Sequence, residues 1–358
     1  MRTGYANLPL HWGKAPSWLF EKMTKLALEI SRVFVWEYGT QEFLKRLSDP
    51  YWFQAFGCVL GFDWHSSGLT TTVCGALKEG LRGQEKEVEI LVAGGKGRTS
   101  RKTPAELEVF GQKYSFDSQP LIYASRMSAK VDSAAIQDGF QIYHHNFFTT
   151  LDGSKWAVIQ QGMSEGPTGG GWARRYHWLS DSVADFVCEP HSGVACDLRR
   201  PSLNLVAQKS DNCRVVTTRI CREKPEKLVN YLEKIQTLNL PSRHAVVLGS
   251  FKKESLKKIF LKTYNQKPNN FESLLGIAGV GPKTIRALAL ISELVYGAKP
   301  SWEDPAKFSF AHGGKDGTPY PVDRENYQKS IDFLSKAVKK AKIGRGEKIA
   351  AIKKLALV

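Results

Sequence analysis

The residue types and spacing that most clearly indicate chemistry lie in one short segment, Gly279-Val280-Gly281-Pro282-Lys283-Thr284. Its two glycines allow positive φ angles or close approach to a partner. Pro282 suits the first position of a helix, because its missing N–H group would have no acceptor there. A tight turn that opens into a helix directs backbone N–H groups and the positive end of the helix dipole at one point. The segment therefore predicts a site for a phosphate oxygen, with Lys283 beside it.

The residues on both sides of this segment predict two helices. Apolar residues close a short first helix and recur on one face of the second: Leu274, Leu275 and Ile277, then Ile285, Leu288, Ala289 and Ile291. The pattern resembles the helix-hairpin-helix motif of DNA-binding and DNA-repair proteins, with Ala278 where many members have proline. The resemblance implies that DNA phosphates are contacted by Gly279, Val280, Gly281, Lys283, Thr284 and Arg286. An ordinary helix pair joined by a glycine turn is the alternative.

The charge of the chain is unevenly distributed. Residues 1–200 contain 22 Lys and Arg against 21 Asp and Glu, whereas residues 201–358 contain 29 against 14, and the whole chain carries +16. A basic field attracts polyanions and supplies the counterion-release part of nucleic-acid affinity. We therefore expect DNA as the partner of the second half. A solvated lysine-rich surface is the alternative interpretation.

A narrower resemblance is to the DNA glycosylases that carry this motif and a following aspartate. In their bifunctional members, a hairpin lysine attacks the sugar carbon of a flipped nucleotide and the aspartate stabilises the developing cation. Lys283 matches that lysine, and Asp323 matches the acid. The resemblance implies glycosylase or lyase chemistry by this pair, in a pocket that Trp302, Phe308 and Tyr320 could line. The gap of 40 residues is longer than in most of those enzymes, and Asp323 also suits a helix N-cap.

The first 200 residues offer a different class, a nuclease whose active site lies in the N-terminal half. Asp63 and His65 lie in a polar loop between two apolar helices and could form an acid/base or metal pair, or only local turn contacts. His144 and His145 are adjacent in a predicted strand, so only one of them can face a given site. The remaining candidates are Asp138, Glu189 and His191. A DNA-binding protein without catalysis is the third class.

Two further basic segments are candidate nucleic-acid contacts. Lys96, Arg98 and Arg101 lie in a glycine-rich loop after a predicted strand, which could cradle an anion but matches no nucleotide-binding spacing. Arg174 and Arg175 lie among aromatic residues after a glycine-rich stretch. Arginines interleaved with aromatics suit base stacking and phosphate binding, and they equally suit a loop docked on the core.

The periodicity predicts an α+β protein. We expect a mixed domain over residues 1–205, with a β-hairpin of 141–150 and 155–163, and a basic helical domain over 206–358 that contains the helix pair. Near its start a helix over 16–37 and another over 41–47 are expected. The chain also resembles a family of uncharacterised prokaryotic, largely archaeal, proteins through residues 8–16, 61–68, 143–145 and 310–324. That resemblance implies no particular activity.

The composition of the chain bears on its cellular location and on whether it has disulfides or a zinc site. No apolar run is long enough for a membrane span and the N-terminus lacks a signal core, so we expect a cytoplasmic protein without a membrane partner. Six scattered cysteines fit neither a disulfide scaffold nor a zinc site, and no metal is predicted. The sequence indicates no particular cofactor and no particular protein partner.

Overall fold

The computed structural model describes residues 17–62, 68–165, 171–196, 198–238, 240, 253–308, 332, 336, 338–340 and 344–355. Asp63, His65, Tyr320 and Asp323 lie outside these residues. No helix in the described part of the chain combines the length and apolar character needed to cross a membrane.

The chain begins with a helical layer. Its members are α1 (Ser17–Leu47), α2 (Pro50–Leu60), α3 (Gly68–Leu81) and α4 (Glu85–Val88). Helix α1 is interrupted at Gly39, whose φ of 82° belongs to the left-handed region that glycine tolerates. The two expected helices on either side of this glycine are thus confirmed as the two arms of α1.

An antiparallel sheet follows, and helices cover both of its faces. Its strands are β1 (Ile90–Lys96), β3 (Gln141–Thr150), β4 (Trp156–Glu165), β5 (Gly171–Leu179) and β6 (His191–Ala195), in the order β1-β3-β4-β5-β6. The predicted hairpin is confirmed as β3 and β4. The aromatic and arginine-rich segment, for which a loop docked on the core was one of two alternatives, forms β5 inside this sheet.

The crossing from β1 to β3 contains three helical elements. These are a 3-10 turn (Gly97–Lys102), α5 (Thr103–Tyr114) and α6 (Gln119–Lys130), which continues into a π-helical turn (Val131–Ala135). A short ladder of β2 (Ile136–Gln137) and β7 (Leu203–Asn204) comes next to them in space.

The remaining described elements are helices. They are α7 (Asp211–Ile220), α8 (Pro225–Gln236), α9 (Lys253–Gln266), α10 (Phe271–Gly276), α11 (Pro282–Tyr296) and α12 (Arg345–Leu355). The expected α+β class is confirmed. The division at residue 205 stays a prediction.

Two hydrophobic cores sandwich the sheet. Phe148, Ile159 and their neighbours pack against α1, α2 and α3. Phe147, Val158 and Trp178 face the other way, into a core that continues through α6 to the interior of α11. Because both faces are covered, polar residues on β3, β4 and β5 must find hydrogen-bond partners inside the protein.

Candidate nucleic-acid interface

The turn between α10 and α11 is compact and shaped by one glycine. Gly279 has a φ of 95°, and a Cβ there would lie 2.7 Å from Cδ1 of Ile259. The Val280 N–H group donates to the Ile277 carbonyl at 3.1 Å, and the Val280 side chain is fully buried. The backbone angle therefore favours glycine at 279, and a Cβ there would also displace the end of the Ile259 side chain.

The carbonyl groups of this turn are held by side chains from other parts of the chain. Lys262 Nζ donates to the Ala278 carbonyl at 2.9 Å, and Gln137 Nε2 donates to the Pro282 carbonyl at 2.9 Å. Lys130 Nζ donates to the Val280 carbonyl. Because the carbonyl of one residue and the N–H of the next point in opposite directions across a trans peptide, the Gly279 and Gly281 N–H groups point away from the two lysines.

The outer edge of the turn reaches the surface. Ala278, Gly279, Pro282 and Lys283 are exposed, and Gly281 is half-buried. Gly281 is the N-cap of α11, and no side chain caps this helix by a hydrogen bond. The N-terminus of α11 thus presents its dipole and its first-turn N–H groups at an accessible surface beside a lysine.

Partly buried cations lie beneath the turn, and the exposed Lys283 lies on its outer edge. Burial lowers the pKa of Lys130, and it also lowers the pKa of Arg286, whose Nε donates to Gln137 Oε1 at 2.5 Å. Thr284, a predicted contact like Arg286, is buried. The local positive potential therefore comes from the exposed Lys283 together with partly desolvated cations beneath the turn.

The basic loop after β1 is also accessible. Lys96, Arg98, Arg101 and Lys102 are exposed, and among the described residues none of the four forms an ion pair. Lys96 lies beside His144, its register partner on β3. The loop therefore keeps the unneutralised charge that the nucleic-acid prediction needs.

Arg174 and Arg175, by contrast, are fully buried. The Arg174 guanidinium donates to Asp138 Oδ2 and Asp304 Oδ2, both at 2.8 Å. The Arg175 guanidinium donates to His177 Nε2 at 2.8 Å and to Gln54 Oε1 at 3.0 Å. The prediction that these two arginines contact nucleic acid is not compatible with this arrangement. Both side chains are buried and form hydrogen bonds within the protein.

The catalytic candidates do not converge on one site in the described part of the chain. His144 and His145 point to opposite faces of β3, as expected from strand geometry. His145 is bonded to Ser125 Oγ and Gln160 Oε1, each at 2.9 Å. Neither ring nitrogen of the buried His144 has a hydrogen-bond partner among the described residues. Burial lowers the pKa of His144 to about 3 and that of His145 to about 4, so both rings are neutral at neutral pH.

Asp138 is structural rather than a free acid. Its Oδ2 accepts from Arg174 and, at 2.6 Å, from the Tyr176 hydroxyl, while its Oδ1 accepts from the Phe140 N–H at 3.0 Å. Glu189 is exposed, and His191 is bonded to Asp132, a residue that the sequence did not single out. No group of three or more His, Cys, Asp or Glu side chains is placed to hold a metal within the described ranges.

The lysine–aspartate pair stays a prediction, because Asp323 lies outside the described residues. Trp302 and Phe308 are half-buried. The residues that hold the turn, Lys130, Gln137 and Lys262, were missed from the sequence. No local signal could have identified Lys130 and Gln137, since they lie about 150 residues from the carbonyls they bind.

Fold and surface together define an α+β protein with a covered antiparallel sheet and an exposed basic turn between two helices. The chain belongs to the family described as protein of unknown function DUF763, which matches residues 4–322. No curated protein and no solved structure matches the chain.

Proposed function

We propose that this protein binds DNA by holding a backbone phosphate at the N-terminus of α11, with the turn acting as a helix-hairpin-helix. The observation that carries the proposal is the orientation of the turn. Its carbonyls at 278, 280 and 282 are bonded to donors within the protein, and its outer edge, with Lys283, is exposed. A phosphate oxygen is the ligand that such a surface favours.

The second support is the distribution of charge. Nearly all of the excess positive charge lies after residue 200. Exposed cations in the basic loop add to it from the first half. Gln137 donates to the Pro282 carbonyl of the turn, and His144 is the register partner of Lys96 in the basic loop. The two residues are seven positions apart in the chain, and seven extended residues span at most about 24 Å. The chain connection thus keeps the two basic elements close to each other, and we propose that one duplex contacts both within about one helical repeat.

A titration of the full-length protein into a fluorescently labelled duplex, at several salt concentrations, tests this proposal. We expect binding that weakens steeply with salt. Lys283→Ala should weaken binding to all sequences alike and reduce the slope of log K against log salt by about 1.

Lys299→Ala is the matched control. Lys299 is also exposed but follows the other end of α11, about 22 Å away along a 15-residue helix. Equal effects of the two substitutions, or no salt-dependent binding by the wild type, would overturn the assignment. Borohydride trapping in the same reactions separates binding from lyase chemistry, because a covalent adduct that Lys283→Ala abolishes requires the lysine as nucleophile.

A further inference from the structure

A buried carboxylate and a histidine from distant parts of the chain meet behind a small pocket. Asp132 lies in the π-helical turn after α6 and His191 begins β6, and His191 Nε2 is 2.6 Å from Asp132 Oδ1. Asp132 is 0% exposed. This acid–base pair is a different site from the turn described above, although Asp132 lies in the chain between Lys130 and Gln137, which hold that turn.

The Asp132 carboxylate is fixed on both oxygens. Its Oδ2 accepts from Gln160 Nε2 at 2.6 Å and from Trp178 Nε1 at 2.9 Å, while Oδ1 faces His191. Burial raises the pKa of Asp132, and the contacts with His191 and Trp178 oppose that rise. Since Oδ2 accepts two hydrogen bonds, the ionised carboxylate fits this site, and His191 then donates from Nε2. A π-helical turn inside a helical run is often found at functional sites.

The imidazole of His191 lines a pocket of about 50 Å³, which Gly193, Asn204, Pro305 and Lys307 also line. Because Nε2 is committed to Asp132, Nδ1 is the ring nitrogen left for a molecule in the pocket. The volume admits water molecules and the tip of a substrate but no nucleobase.

Backbone strain marks the same pocket. Glu189, another lining residue, has a φ of 45°, although it is not glycine. Its N–H group donates to the Val206 carbonyl at 2.7 Å, which holds it in this conformation. Strain of this kind costs about 1–3 kcal/mol and clusters at active sites and ligand clamps.

We propose that His191, positioned by Asp132, is the general base of a hydrolytic site for a phosphodiester. His191 Nδ1 takes a proton from a water molecule as its oxygen bonds to phosphorus. The P–O bond to the leaving group then breaks, and the imidazolium returns the proton to the departing oxygen. One diester and one water thus give one monoester and one alcohol. The phosphodiester as substrate class rests on the proposed DNA binding, whereas the acid–base pair does not.

The charged and titratable groups around His191 fit this role. Asp132 faces it from the π-helical turn, and the Tyr176 ring lies 6.1 Å from the imidazole on β5. Lys307 Nζ and the Glu189 carboxylate, 3.9 Å apart, lie at the exposed rim. To bind a non-bridging phosphate oxygen, the exposed Lys307 ammonium exchanges its long contact with Glu189 for the phosphate, and Asp132 stabilises the imidazolium that forms during proton transfer.

Hydrolysis of bis(p-nitrophenyl) phosphate by the full-length protein tests the site without requiring the DNA surface. We expect the wild type to release p-nitrophenolate. His191→Gln should lower the rate by about 10²–10⁴-fold. The glutamine amide can still donate to Asp132, so the fold should survive, which thermal unfolding checks. Asp132→Asn should lower kcat with little change in KM, because the imidazole loses the acceptor that orients it.

His145→Gln is the matched control, since His145 bonds to Gln160, which in turn bonds to Asp132, but His145 does not line the pocket. Its rate should equal that of the wild type. Equal losses in both histidine variants, an unchanged kcat in Asp132→Asn, or no hydrolysis by the wild type would each overturn the proposal. This substrate is hydrolysed without a duplex, so duplex binding and hydrolysis are measured separately and failure of the DNA-binding proposal is distinguishable from failure of this one.

Discussion

Two sets of arginines and lysines in this protein have opposite environments. Those of β5, Arg174 and Arg175, are fully buried and bonded to groups from α2, β5 itself and the segments around Asp138 and Asp304. Those of the turn and the basic loop, such as Lys283 and Arg101, are exposed. An arginine next to aromatic residues can therefore be buried in a sheet as easily as exposed on a loop. Such a pattern predicts nucleic-acid binding only when the fold places the side chain at the surface. Interior cations should control stability, and surface cations should control binding.

Removal of a buried cation should give the largest effect. Arg174→Met leaves the carboxylates of Asp138 and Asp304 without their guanidinium partner inside the protein. Breaking a buried pair in this way costs about 3–5 kcal/mol. Urea denaturation measures the free energy of unfolding, and Arg101→Ala, at an exposed position, should change it by less than about 0.5 kcal/mol. Similar values for both variants would remove the distinction between the two sets.

Acid should destabilise the interior next. In the folded state the pKa of His144 is about 3, against an ordinary value of 6.5, so between these values only the unfolded chain binds that proton. The contribution of His144 to the free energy of unfolding is therefore complete at a pH above 6.5. It falls by about 1.4 kcal/mol per pH unit as the pH decreases toward the folded-state pKa of about 3. Urea midpoints across this range should depend less on pH in His144→Gln than in the wild type. The same pH dependence in both proteins would show that folded and unfolded His144 bind a proton equally well.

The turn itself should respond more weakly. Gly279→Ala places a side chain at a φ of 95° and a Cβ 2.7 Å from Ile259, so we expect a loss of about 1–2 kcal/mol in unfolding free energy. Gly281→Ser is the control, because its φ of −142° is extended, nothing lies within 4 Å of its Cβ, and serine is a favoured N-cap. If Gly281→Ser proves as destabilising as Gly279→Ala, the turn is constrained by something other than the glycine conformation.

Surface charge should have the smallest effect on stability. Arg98→Ala and Lys96→Ala should leave the urea midpoint unchanged while each lowers the salt slope of duplex binding by up to about 1. Unchanged slopes for both variants would limit the DNA surface to the turn. A lower urea midpoint would instead show that the cations of the basic loop stabilise the fold, as the buried arginines do.

Local periodicity was sufficient for much of the fold. The arms of α1 and the hairpin of β3 and β4 were predictable, because each has a regular apolar pattern and clear end signals. The turn between α10 and α11 was predictable for the same reason, since glycine and proline restrict the backbone locally.

The position of β5 was not predictable in this way. Both faces of the sheet are covered, so its residues lack the alternation of polar and apolar types that marks a half-exposed strand. Arg174 is buried because Asp138 and Asp304, 36 and 130 residues away, supply its partners. The pair of Asp132 and His191 was missed for the same reason, as 59 residues separate its members.

The three clamps on the turn carry a consequence for how the chain can be divided. Lys130 and Gln137 belong to the first half, whereas Lys262 belongs to the second. A fragment that begins at residue 206 would keep the glycine, the proline and Lys283 but would lose the donors to the Val280 and Pro282 carbonyls. The excised helical half would therefore carry a looser turn than the intact chain, because the sheet-bearing half supplies two of the three side chains that hold the turn.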